Sequence, residues 1–97
     1  MHAVEKRLRE IRQAISNLRE AAAMDGDAQR AGVAQSLGEL FGQVSTREEL
    51  RAAAAQAMRH YQGGMGSFQD AGTPAMGDAV DGLRRALAKA RSRLPAG

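Results

Sequence analysis

The chain has 97 residues, enough for one domain, with no cysteine and a net charge of +3 from 14 basic and 11 acidic side chains. Disulfides and thiol chemistry are excluded, and three excess charges argue for nucleic-acid binding only if they cluster on one surface. Twenty residues are alanine and only 22 are Val, Ile, Leu, Met, Phe or Tyr, so the core is thin and a second copy or a partner would add buried apolar surface.

The first predicted helix covers residues 3–24. Val4, Leu8, Ile11, Ile15, Leu18 and Ala22 step by 4, 3, 4, 3, 4, which places them in one stripe facing a partner helix. Lys6, Arg7, Arg9, Arg12 and Arg19 fall mostly off that stripe and read as a solvated face, with Glu5 and Arg9 spaced for a weak ion pair. Asp25-Gly26-Asp27 reads as a corner, with Gly26 ending the first helix and Asp27 capping the second. The second helix is predicted over 28–44, with Val33, Leu37, Leu40, Phe41 and Val44 on its inner side. Gly32, Gly38 and Gly42 each lower its helix propensity by about 1 kcal/mol against alanine, and their spacing would suit close approach of a neighbouring helix.

Ser45-Thr46-Arg47-Glu48 has the form of a capping box opening a third helix over 46–61, with Leu50, Ala54, Ala57, Met58 and Tyr61 inward. The stretch Tyr61 to Pro74 then breaks the helical pattern with four of the eleven glycines. It is longer than the roughly 2–8 residues that usually join helices, and Met65 and Phe68 are too apolar for a purely solvated loop. Two compatible readings follow: an apolar plug over the end of a bundle, or a recognition surface on a rigid scaffold. Thr73 and Pro74 read as the N-cap and first residue of a fourth helix over 74–94. Met76, Val80, Leu83, Leu87, Ala90 and Leu94 repeat the 4, 3, 4, 3, 4 step. Asp78 and Asp81 near its start, with Arg84, Arg85, Lys89, Arg91 and Arg93 after them, complement the helix dipole, and Asp81 is spaced to pair with Arg85. With no strand candidate, the pattern predicts an all-α protein: a single-domain, small four-helix bundle with a long Gly-rich loop between helices 3 and 4, its first and last helices paired in the core.

Chemistry-bearing constellations are missing. His2 and His60 have no ligand partner one helical turn away, so no metal site is expected. No serine sits in G-x-S-x-G, and no Gly-x-x-x-x-Gly-Lys-[Ser/Thr] follows a strand, so neither a hydrolase elbow nor a phosphate loop is expected. The carboxylate pairs all lie at helix starts, where acids are expected anyway. Residues 1–24 carry charges throughout, and the longest alanine run, Ala52 to Ala55, is far too short to span a bilayer. The expectation is a cytoplasmic, non-enzymatic protein without cofactor, metal or membrane partner.

Gly63-Gly64-Met65-Gly66-Ser67-Phe68-Gln69-Asp70 resembles a segment of small, uncharacterised helical bacterial proteins that read G-G-M-G-S-F-N-D or similar after an amphipathic helix, some of which look like immunity proteins encoded beside secreted toxins. The likeness covers these eight residues, with Gln69 in place of asparagine. It implies a cytosolic binding protein that masks a cognate toxin, with Met65, Ser67, Phe68, Gln69 and Asp70 as the partner-binding residues. The basic balance would suit a neutral or acidic target. Two other readings stand beside it. One is a basic helical nucleic-acid-binding protein using Arg84, Arg85, Lys89, Arg91 and Arg93, which lacks stacking aromatics and a helix-turn-helix. The other is a structural subunit of a helical assembly, such as a homodimer, which the thin core favours.

Overall fold

Two long apolar stripes and two tight corners set the architecture. The structure, a computed structural model, describes residues 2–62 and 73–91, with side chains for 3–59 and 73–91. Helix α1 spans His2–Asp25, α2 Ala28–Gly42, α3 Arg47–Gln62 and α4 Pro74–Arg91. The all-α bundle expected from the sequence is the fold observed. No helix among the described residues is long and apolar enough to cross a membrane.

The stripe of α1 is buried throughout: Val4, Leu8, Ile11, Ile15, Leu18 and Ala22, with Ala14 and Ala21 widening it. On α4, Met76, Val80, Leu83, Leu87 and Ala90 are buried together with Ala79 and Ala86. These two helices pack on each other most extensively, as their matching periodicities predict. Helix α2 lies against α1 and α3 against α4, whereas α2 and α3 touch only sparsely. Ile11, Leu18, Leu37, Phe41, Leu50, Met76, Leu83 and Leu87 are the largest fully buried side chains. Each contributes about 1.5–3 kcal/mol relative to exposure.

The α1–α2 corner closes as expected. Gly26 takes φ +65°, the left-handed conformation that glycine adopts without a Cβ clash. Gly26 N–H donates to the Ala23 carbonyl (3.3 Å) and Asp27 N–H to the Ala22 carbonyl (2.8 Å), which together satisfy the end of α1 in a Schellman pattern. Asp27 then caps α2, its carboxylate accepting from Arg30 N–H at 3.0 Å.

Five expectations need correction. The capping box of α3 is Thr46-Arg47-Glu48-Glu49, one residue later than the spacing suggested. Glu49 N–H donates to the Thr46 hydroxyl (3.1 Å), while the Glu49 carboxylate accepts from the backbone of Ser45 (2.8 Å) and Thr46 (3.1 Å). Both registers offer a hydroxyl and a glutamate; the observed one starts the helix at Arg47 and leaves Ser45 to add its own hydroxyl to Glu49 (3.2 Å). The α2 glycines do not mark a close helix approach. A Cβ at Gly32 or Gly42 would meet nothing within 4 Å, and one at Gly38 would meet only the Arg19 guanidinium at 3.4 Å. The buried stripe of α2 runs through Arg30, Ala34, Leu37 and Phe41, with Val33 and Leu40 half-buried beside it. Alanine is small enough to sit on either side of such a stripe, and the larger aliphatics drew the predicted face too far round. The helix also ends at Gly42, and Val44 is buried from the connection that follows. Finally, neither Glu5–Arg9 nor Asp81–Arg85 closes as an ion pair; Arg7–Glu10 does, at 3.1 Å. Leu94 and Arg93 lie outside the described residues.

Candidate functional site

The expected partner-binding residues Met65, Ser67, Phe68, Gln69 and Asp70 lie outside the described residues, as does the side chain of Tyr61. What the structure supplies is the frame at the start of α4. Thr73 caps that helix: its hydroxyl accepts from Met76 N–H at 3.1 Å, and its carbonyl accepts from Gly77 N–H at 2.9 Å. The same hydroxyl donates to the Asp25 carboxylate at 2.9 Å. One threonine thus satisfies the first turn of α4 and ties it to the last residue of α1, 48 positions earlier in the chain.

The contact has an electrostatic reason. A carboxylate at the C-terminus of α1 stands at the unfavourable end of its own helix, but the hydrogen bond brings it to the positive end of α4. Asp27, two residues on, serves α2 in the same way. Its carboxylate accepts from the Arg30 backbone (3.0 Å) and from the Arg30 guanidinium (2.7 Å). The backbone bond, then the guanidinium, hold the Asp27 carboxyl below its ordinary range, against a smaller opposing effect of burial. Arg30 is itself buried, 9% exposed, as part of the α2 stripe. Asp25, Gly26, Asp27, Ala28, Arg30 and Thr73 together line an open hollow of about 560 Å³ where three helix ends converge. Thr73, at the end of the Gly-rich stretch, belongs to this corner.

A second surface runs along the α1–α4 seam. A groove of about 510 Å³ is lined by Arg9, Gln13 and Asn17 of α1 and by Asp78, Arg85 and Lys89 of α4, with Ala14, Ala79, Gly82 and Ala86 also bordering it. It continues past Asn17 and Asp78 to Glu20, Ala21, Met24 and Ala75. Of the basic residues of the nucleic-acid reading, Arg85 and Lys89 line this groove; Arg84 and Arg91 are exposed on the same helix. Among the described residues, no three His, Cys, Asp or Glu side chains gather where a metal ion could be held.

Sequence reasoning identified Thr73 as a cap but not its bond to Asp25, and it did not foresee a buried Arg30. The Asp27–Arg30 spacing could have suggested a cap that also carries an ion pair. The Thr73–Asp25 bond has no local signal at all, because it depends on how α4 docks on α1. Set against protein-family models, curated proteins and solved structures, the chain matches none.

Proposed function

We propose that the chain is a non-catalytic protein-interaction module, acting in the cytoplasm as an immunity-type protein that binds and neutralises a cognate toxin through Met65, Ser67, Phe68, Gln69 and Asp70. The observation that supports this best is the Thr73–Asp25 hydrogen bond. It anchors the C-terminal end of the Gly-rich stretch to a corner built from three helix ends, which is how a binding loop acquires a rigid base. Fixing the loop's end lowers the ordering entropy that a partner would otherwise have to offset. An apolar anchor such as Phe68 flanked by Gln69 and Asp70 suits a protein interface, in which a few central side chains carry most of the energy. The nucleic-acid reading is weaker, because Glu20 and Asp78 occupy one end of the seam whose other end holds Arg85 and Lys89. A polyanion needs a continuous basic track.

The test is affinity capture from the source lysate with wild-type bait and with Phe68→Asp bait of matched circular dichroism. One stoichiometric protein retained by the wild type alone, toxic when expressed by itself and harmless when co-expressed with this chain, is the expected result. A captured protein without toxicity would leave the interaction module but remove the immunity role. Equal capture by both baits would remove the Gly-rich stretch as the binding surface.

A further inference from the structure

The α1–α4 seam segregates charge along its length. At one end Arg9 of α1 shares the groove with Arg85 and Lys89 of α4. Glu10 borders the same end, but it is engaged by Arg7 at 3.1 Å. At the other end Glu20 of α1 shares the groove with Asp78 of α4. Arg19, adjacent in sequence, turns instead toward α2, where its guanidinium lies against Gly38. Across the seam, like charges therefore border the same stretch of groove, and no ion pair within the chain joins these groove residues. Placing like charges together costs stability in the single chain. An arrangement of this kind becomes favourable when something outside the chain supplies the opposite sign at each end.

From the positive end, the two-fold-related negative end of the same groove has that pattern. We propose that the α1–α4 flank is a self-complementary docking surface for a second copy of this chain. A two-fold axis through the middle of the groove, near Asn17 and Gly82, superposes the basic end of one copy on the acidic end of the other. Asp78 and Arg85 lie seven residues apart on α4, about 10 Å along the helix, and on opposite sides of that axis. In the dimer each Asp78 faces its partner's Arg85, and Glu20 reinforces the acidic end.

Two further features fit this occupant. Small residues on both helices, Ala14, Ala21, Ala79, Gly82 and Ala86, border the groove and leave room for side chains of the other copy. Met24, 81% exposed, is the large hydrophobic side chain left in solvent among the described residues, and it stands at the acidic end. The same two-fold places it over the basic end of the partner copy's groove.

The deciding experiment is sedimentation equilibrium across micromolar concentrations at low salt, on the full chain and on two single variants, Arg85→Glu and Asp78→Lys. Wild type is expected to sediment as twice 10.3 kDa, with dissociation rising with salt. Each variant alone sets like charges against each other at both 78–85 contacts and dissociates at least about tenfold more readily. Mixed in equal amounts, the two variants have complementary ends at both contacts and recover a dimer, a result that misfolding cannot produce. A wild-type mass of one chain throughout, variants that stay dimeric alone, or variants that fail to recombine would each overturn the proposal.

Discussion

Thr73→Val tests the corner that anchors α4. Valine keeps the shape of threonine and removes the hydroxyl, so the Met76 N–H loses its acceptor and the Asp25 carboxylate loses its donor. Loss of an N-cap costs about 1 kcal/mol. The bond to Asp25 joins two exposed side chains, and solvent screening reduces a charged hydrogen bond there to about 0.5 kcal/mol. Together these give about 1.5 kcal/mol, a fall in Tm of about 6–12 °C for a domain of this length. Asp25→Ala should cost only the smaller part, since the cap survives it. The double variant should be less destabilised than the sum, with a coupling of about 0.5 kcal/mol measured by urea unfolding. Thr73→Ser should recover most of the loss. If Thr73→Val unfolds within about 0.3 kcal/mol of wild type, the hydroxyl caps nothing; if the coupling with Asp25 is zero, the tie between α1 and α4 does not exist.

Three other outcomes are expected. Gly32→Ala should stabilise by about 0.5–1 kcal/mol, because the site is helical and a Cβ meets nothing, while Gly26→Ala should destabilise by about 1–2 kcal/mol although its surroundings are equally open; thermal melts showing the same sign for both would refute the φ argument. Phe41→Ala, at a fully buried position where α2 meets the core, should cost about 3–5 kcal/mol by urea unfolding, and a loss under about 1 kcal/mol would mean α2 is not docked as described. Asp27 and Glu49 both have carboxyl groups held below their ordinary range, chiefly by backbone hydrogen bonds from Arg30 and from Ser45 with Thr46. A lowered folded-state pKa means that their contribution is complete at neutral pH and is lost only as pH falls below the ordinary carboxylate range. The gap in urea midpoint between wild type and Asp27→Ala should therefore narrow from pH 7 to pH 3; a gap that widens on acidification would contradict the sign.

The packing of α1 and α4 was legible because both stripes are built from large aliphatics at unbroken heptad spacing, so only one face could be inside. Helix α2 was legible in its start and in Leu37 and Phe41 as part of its inner face, but not in how far that face turns toward Arg30 and Ala34. Its face is decided by Ala34 against Val33 and by Arg30, and neither alanine nor arginine announces burial from sequence. An arginine reads as solvated until a carboxylate such as Asp27 is placed over its guanidinium. The start of α3 was uncertain by one residue because Ser45-Thr46 and Glu48-Glu49 each double the capping signal, and the hydrogen bonds chose the later pair. The glycines of α2 carry a propensity cost without a packing reason in the structure. Surfaces that need two helices in register were not legible at all. The Thr73–Asp25 tie and the charge-segregated seam both arise from how α4 docks antiparallel on α1, a relation that spacing within either helix does not contain.

We propose that Met65 to Asp70 form the surface a partner protein touches. Photocrosslinking tests it most directly, with benzoylphenylalanine at position 68 in one sample and at the exposed Arg51 position of α3 in another, both matched to wild type by circular dichroism. Irradiation in the source lysate should give one adduct with a different protein from position 68 and none from position 51, and excess unlabelled wild type should compete it away. Identical adducts from both positions, or no heterologous adduct from position 68, would rule out Met65 to Asp70 as the partner-binding surface.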